Sequence, residues 1–251
     1  MEYAALTHVG LKRQLNEDSY GFTDPKAGLP VSFVLADGLG GYEHGEVASA
    51  LTVEYCLERL RQLPEDMTEE QMQAELMDII QKINVRVYLE SLQDQRLTGM
   101  CSTVNLAVFF ADVMYSTHIG DSRTYLLRAG ELKALTIDHT LVHQLMAEGG
   151  LTPEEVKAHP DGKALVQAIG GYLTYLKPDF SAIPTMYGDR FLLCSDGLHG
   201  EVDDEVICRL LQEAPTPQKA CDDLMQAALE AGGKDNITVI CIFNDNEEVN
   251  L

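Results

Sequence analysis

Short unbroken apolar runs alternate along the chain with longer segments whose apolar residues recur at helical spacing. Residues 31–36 form one such run and read as a buried strand. From Glu46 onward, Val47, Ala50, Leu51, Val53, Leu57 and Leu60 recur three and four apart. Met72, Leu76, Ile79, Ile80, Ile83 and Val87 make a second, cleaner stripe, so two helices are expected, separated at Pro64. Four short β-rich stretches follow, over 104–110, 113–119, 124–127 and 132–135. Ala-Asp, Gly-Asp-Ser and Ala-Gly turns join them, and the pattern predicts an antiparallel meander. A helix is expected over 139–148, stopped by Gly149-Gly150, and another after Thr152-Pro153-Glu154-Glu155, which has the form of a capping box. Strands over 180–183 and 190–194 come next. Two helices with Asp203 and Thr216 as N-caps follow, Gly232-Gly233 ends the second, and a strand over 237–243 closes the pattern. Helices neighbour helices and strands neighbour strands. This is an α+β arrangement and not the regular alternation of a doubly wound fold.

No repeat, low-complexity tract or Pro/Gly/Ser-rich linker interrupts the chain, so one domain is expected over 1–243, with an acidic, mobile tail over 244–251. With 251 residues and 45 % apolar content the chain can bury a sizeable core. No apolar run approaches the length of a bilayer span, and the opening MEYAALTHVGLKR lacks the pattern of a secretory signal. The 40 acidic residues outnumber 18 basic ones, for a net charge of −22, a field that repels nucleic acid and anionic lipid. Six cysteines occur without a C-x-x-C pair, and most fall in apolar or helical patterns. They read as reduced, buried thiols of a cytoplasmic protein, and the sequence offers no clustered Cys and His for zinc.

The chemistry lies in carboxylates that interrupt the apolar runs. Asp37 follows FVLA and precedes GLGG, and Asp196 follows FLLCS and precedes GLHG. Asp121 follows STHIG, Asp235 stands just before the strand ITVICIF, and RQLNEDSYG supplies Glu17 and Asp18 with Arg13 four residues before Glu17. If these ends meet at one sheet edge, like charges raise one another's pKa until a cation relieves them. The donors are all oxygen, which suits Mg²⁺ or Mn²⁺. Glycines after Asp37 and Asp196 allow close backbone approach, so the carbonyl of Gly38 is a further candidate ligand.

Six ordered motifs, GLKRQLNEDSYG, VLADGLGGYEHGEVAS, HIGDSRTYLLRAGEL, LTIDHTLVHQL, LLCSDGL and GGKDNITVI, resemble the bacterial metal-dependent protein serine/threonine phosphatases of the protein phosphatase 2C family. The resemblance covers nearly the whole chain. It implies a four-layer αββα sandwich, two antiparallel sheets flanked by helix pairs. It also implies that Asp37 bridges two metal ions, with Gly38 on one of them and Asp196 and Asp235 on the other. Asp18 would contribute through water, in preference to Glu17, and Asp121 with Asp196 would form a third, weaker metal site. Arg13 would hold the substrate phosphate and the segment 138–171 would form a flap. Such a pair of cations activates a shared water for in-line attack on phosphorus. Phosphorylated proteins are the implied substrates, a cognate serine/threonine kinase the implied partner, and a monomer the default. The alternatives are hydrolysis of small phosphoesters on the same scaffold and an inactive pseudophosphatase that only binds.

Three details qualify the resemblance. Leu39 stands where many eukaryotic members carry a histidine, so the proton donor to the leaving group is unassigned; His44 is near enough in sequence to serve but reads first as a loop histidine, His118 reads as structural, and His139 is assigned no chemistry. No Arg follows Cys194 in SDGLHG, which argues against a cysteine nucleophile. HPDGKALVQAIGG lacks the basic residues expected after its His-Pro pair, which points to an altered substrate preference.

Overall fold

The computed structural model describes residues 1–23, 30–39, 44–64, 66–150, 155, 162, 164–172 and 175–245. The expected capping box at Thr152, most of the 151–163 stretch of the expected flap and the expected tail beyond Asp245 lie outside the described residues. Ten strands are described: β1 (Glu2–His8), β2 (Asp18–Phe22), β3 (Val31–Asp37), β4 (Val104–Phe110), β5 (Val113–Ile119), β6 (Arg123–Arg128), β7 (Glu131–Ala134), β8 (Asp179–Pro184), β9 (Arg190–Cys194) and β10 (Ile237–Phe243). The described helices are α1 (Gly45–Leu60), α2 (Glu69–Ser91), α3 (Leu141–Ala147), the single turn α4 (Asp196–His199), α5 (Asp204–Glu213) and α6 (Pro217–Glu230). The strands form two five-stranded antiparallel sheets, ordered β1-β10-β9-β6-β7 and β2-β3-β4-β5-β8.

Alternation along the strands builds three apolar layers. Phe33 and Leu35 of β3 point between the sheets and pack with Phe109, Phe191, Leu193, Ile240 and Ile242. Val34 and Ala36 point the other way, onto the stripes of α1 and α2, including Met72, Leu76, Ile80 and Ile83. On the far side, Leu192, Val239 and Cys241 pack against Ile207 and Leu211 of α5 and Leu224 of α6. The result is the expected αββα sandwich. Edge-to-face rings stitch its centre: Phe109 lies 5.8 Å from Phe33 and 5.2 Å from Phe191, joining the two sheets.

The meander expected over 104–135 is not formed. β4 pairs with β5 in one sheet, whereas β6 pairs with β7 and β9 in the other. Periodicity fixes that a segment is a strand but not which strand it pairs with. The chain crosses between sheets at Gly120-Asp121-Ser122. Gly120 has φ +105° there, and a Cβ would come within 2.6 Å of the Thr103 side chain, so glycine is required at the crossing. β1 and β2, which the apolar pattern does not reveal, close the sheets at their edges. Helix starts follow the cap chemistry. Thr216 Oγ1 accepts from the Lys219 N–H, while Thr68 and Gln71 form a reciprocal capping box at α2. Asp203 is the N-cap of α5 without a side-chain bond.

Because Phe109 bridges the sheets inside the central layer, Phe109→Ala should lower unfolding stability by about 3–5 kcal/mol. Urea unfolding checks this. A loss below about 1 kcal/mol would mean that the ring does not sit in a packed inter-sheet core.

Candidate active site

β2 begins level with the end of β3, so Asp18 and Asp37 are register partners. Where β3 leaves the sheet, the Asp37 N–H donates to Thr103 Oγ1 at 2.9 Å, and the Thr103 N–H returns a bond to Asp37 O at 2.8 Å. Gly38 then donates to Glu17 O at 3.0 Å. A Cβ on Gly38 would lie 2.3 Å from Gly45 O, so only glycine lets this turn press against the start of α1. The inter-sheet crossing delivers Asp121, the first residue of α4 is Asp196, and the turn before β10 carries Asp235.

The charges of these groups act on one another. Burial raises the Asp37 pKa well above the usual carboxylate range, and the carboxylates of Asp18, Asp196, Asp121 and Asp235 raise it further. Burial also lifts Asp18, to about 6, against the lowering effect of hydrogen bonds from Thr238 and Ser195. Those hydroxyls donate to Asp18 Oδ2 at 2.7 and 2.8 Å. The other oxygen, Oδ1, is buried with no donor. The Asp37 carboxyl lies within hydrogen-bonding reach of Asp18, and two carboxyls can share such a bond only when one of them carries a proton. A divalent cation supplies the same relief without neutralising either acid. This orphaned oxygen and the all-oxygen donor set fit Mg²⁺ or Mn²⁺.

Arg13 stands at the rim. Its Nη2 donates to Asp235 Oδ2 at 2.9 Å, and its Nη1 lies 3.9 Å from Glu17 Oε2. The bond to Asp235 is the main reason its pKa is raised. The Glu17 carboxyl is largely buried and raised by that burial, beside Gly45 and across the turn from Gly38. Asn236 fixes this loop: its Oδ1 accepts from the Glu17 N–H, and its Nδ2 donates to Val9 O and Leu15 O, each at 2.9 Å. Sequence reasoning missed Asn236, Ser195, Thr238 and Thr103 as supports. Their only signal was that each is a polar residue at or near the end of a buried strand.

A smaller pocket of about 200 Å³ adjoins, lined by Asp121, Asp196, Asp138 and His199 among others. Arg123 holds Asp138 in a fork, both bonds 2.8 Å, and His199 Nε2 donates to Asp121 O at 2.9 Å. Burial lowers the pKa of His199, keeping it neutral.

A second cluster gathers residues that stand far apart in the sequence. His118, His139 and Asp179 place ligand atoms within 4.8 Å of one another. The rings of His118 and His139 stack at 4.6 Å. Their nitrogens are engaged: His118 Nε2 donates to Ile137 O, and His139 Nδ1 accepts from the Gly120 N–H at 3.2 Å. That acceptance leaves the His139 proton on Nε2, facing Asp179 at 3.4 Å. A metal there would have to break the Gly120 bond, so the cluster reads as a brace behind the Gly120 crossing. His44, in the left-handed region at φ 71°, precedes α1 and meets Glu46 at 3.2 Å.

The fold and this site have counterparts among known proteins. Residues 10–236 match the family model for protein phosphatase 2C. The chain is 38 % identical over 240 residues to the serine/threonine protein phosphatase PstP of Mycobacterium tuberculosis, across 96 % of this chain and 44 % of that protein. It thus spans less than half the length of that relative. The structure of the S. agalactiae serine/threonine phosphatase superposes with a TM-score of 0.89 at 31 % identity, covering 96 % of this chain and 98 % of that one. The catalytic domain of PstP in complex with two manganese ions superposes with a TM-score of 0.80 at 35 % identity, covering 96 % of each chain. The chain belongs to the protein phosphatase 2C family.

Two outcomes test the carboxylate cluster without an activity assay. The Asp18 pKa is about 6 when folded against about 3.9 when unfolded. Protonation of Asp18 therefore stabilises the metal-free protein fully below pH ~3.9, and this contribution is lost as pH rises through about 6. Mn²⁺ should accordingly raise the melting temperature more at pH 7.5 than at pH 5. Asp18→Asn removes the buried charge, so its metal-free form should melt above wild type at pH 7.5, by about 2–4 °C per kcal/mol relieved. Its gain from Mn²⁺ should shrink. Equal metal shifts in both proteins at both pH values would contradict the assignment.

Proposed function

We propose that this protein is a phosphoserine/phosphothreonine protein phosphatase dependent on two divalent cations, Mg²⁺ or Mn²⁺. The observation that carries the reading is the buried, donor-less Asp18 Oδ1 beside Asp37, at the meeting point of Asp121, Asp196 and Asp235. Asp37 would touch both cations, Gly38 would offer its carbonyl to one, and Asp196 and Asp235 would hold the other. Asp18 would act through water, and Asp121 with Asp196 would bind a weaker third ion in the 200 Å³ pocket. When bound, the cations supply a hydroxide-like water at neutral pH and offset charge on the phosphoryl oxygens.

The chain's own groups do the rest. Arg13, anchored on one side by Asp235, keeps further N–H donors for phosphoryl oxygens and presents them in a fork that Lys cannot reproduce. Thr103 and Asn236 hold the Asp37 turn and the Arg13 loop in place, so the carboxylates need not reorganise during the reaction. Cys194 is buried and its thiol pKa is raised by burial, which suits packing and not attack on phosphorus. The complete carboxylate set supports turnover over a binding-only role. A serine/threonine kinase acting on the same targets is the natural counterpart.

Among the described residues no helix is long and apolar enough to cross a membrane. All six cysteines are unpaired and five are buried, which supports a reducing, cytoplasmic setting.

Asp37→Asn or Asp196→Asn should abolish hydrolysis of phosphopeptides while the protein stays folded by circular dichroism. EDTA should remove wild-type activity, and added Mn²⁺ should restore it. Near-normal turnover by either variant would overturn the site. Arg13→Ala should raise KM for phosphopeptides about tenfold and change kcat by less. A large fall in kcat at unchanged KM would contradict the phosphate-holding role.

A further inference from the structure

Beside the Gly38 turn lies a cavity of about 540 Å³, within the range of sites that enclose a small ligand or an inserted side chain. Tyr88 and Leu92 at the end of α2 and Thr98-Gly99 beyond it form one wall, and residues 164–172 form the other. Leu39 joins the cavity to the carboxylate site. Its N–H donates to Cys101 O at 3.1 Å, while Gly38 is bridged to Ser102 and Ser102 to Ile169. The backbone that carries the candidate ligands Asp37 and Gly38 thus continues as the cavity's floor.

The lining is chemically one-sided. The chain is 23 % charged, yet among the described residues no lining residue is Asp, Glu, Lys, Arg or His. Two of its polar side chains are already used: Ser91 Oγ donates to Tyr88 O at 2.7 Å, and the Gln167 amide is paired with the Lys177 backbone. Leu92 and Tyr172 remain 63 % and 86 % exposed, forming an apolar lip. Described walls without a charged side chain, on so acidic a protein, favour an apolar group and penalise a buried charge.

We propose that this cavity is a subsite for an apolar side chain of the phosphoprotein substrate, close in sequence to the phosphorylated residue, and that it sets substrate preference. The inference rests on the phosphatase reading above. Its occupant follows from continuity: a peptide whose phosphate reaches the carboxylate site must cross the adjoining surface, and the Leu39 side of that surface is this cavity.

The test uses the full chain with Mn²⁺, two sets of phosphopeptides and para-nitrophenyl phosphate. The peptides differ only in Leu or Ala at each position flanking the phosphoserine. At one flanking position Leu should exceed Ala by about tenfold in kcat/KM. Leu92→Glu, on the exposed lip and outside the catalytic machinery, should erase that preference and leave para-nitrophenyl phosphate turnover unchanged. Equal kcat/KM for all peptides, or a preference that survives Leu92→Glu, would overturn the subsite and leave the phosphatase reading standing. Turnover of none of these esters would overturn both. Gel filtration gives the remaining check: a wild-type dimer that Leu92→Glu converts to monomer would assign the cavity to self-association and overturn the proposal.

Discussion

Mutual repulsion among buried carboxylates is the constraint on which this molecule turns. Asp18 and Asp37 are held side by side by strand register, and three more acids arrive from separate connections. Left alone, such a group would take up protons or push the sheet edge apart. The fold holds it together by spending hydrogen bonds locally, from Ser195 and Thr238 to Asp18, from Thr103 to the Asp37 turn and from Asn236 to the Arg13 loop. A divalent cation would relieve that repulsion, and the all-oxygen donor set suits Mg²⁺ or Mn²⁺.

The rest of the architecture supplies rigidity to that edge. β3, β9 and β10 are buried almost throughout, so their ends can move little. The Phe33–Phe109–Phe191 contacts lock the sheets against one another. Asp37 belongs to one sheet while Asp196 and Asp235 flank strands of the other, so inter-sheet packing fixes their spacing. The Gly120 crossing, braced by His139, ties Asp121 to the same frame. Stability of the centre and geometry of the site are therefore one problem. The site costs the metal-free protein stability that the three apolar layers must offset.

Much of this was legible along the chain. An apolar run that ends in Asp-Gly is readable as a strand delivering a carboxylate, which is how Asp37 and Asp196 stood out. Helix starts were readable at Asp203 and Thr216 from cap residues. β1 and β2 were not, because their half-buried edge positions break the apolar pattern. The change of sheet between β5 and β6 was hidden because alternation records burial and not partnership. The pairing of His118 with His139, the supports Ser195, Thr238 and Asn236, and the cavity walled by α2 and residues 164–172 depend on contacts between distant segments. No local pattern encodes those.

The most direct test of the central claim is anomalous X-ray scattering at the manganese edge from crystals grown with Mn²⁺. The account predicts two strong peaks among the carboxylates, with Asp37 oxygens touching both. Peaks confined to His118, His139 and Asp179, or none near Asp37, would contradict it.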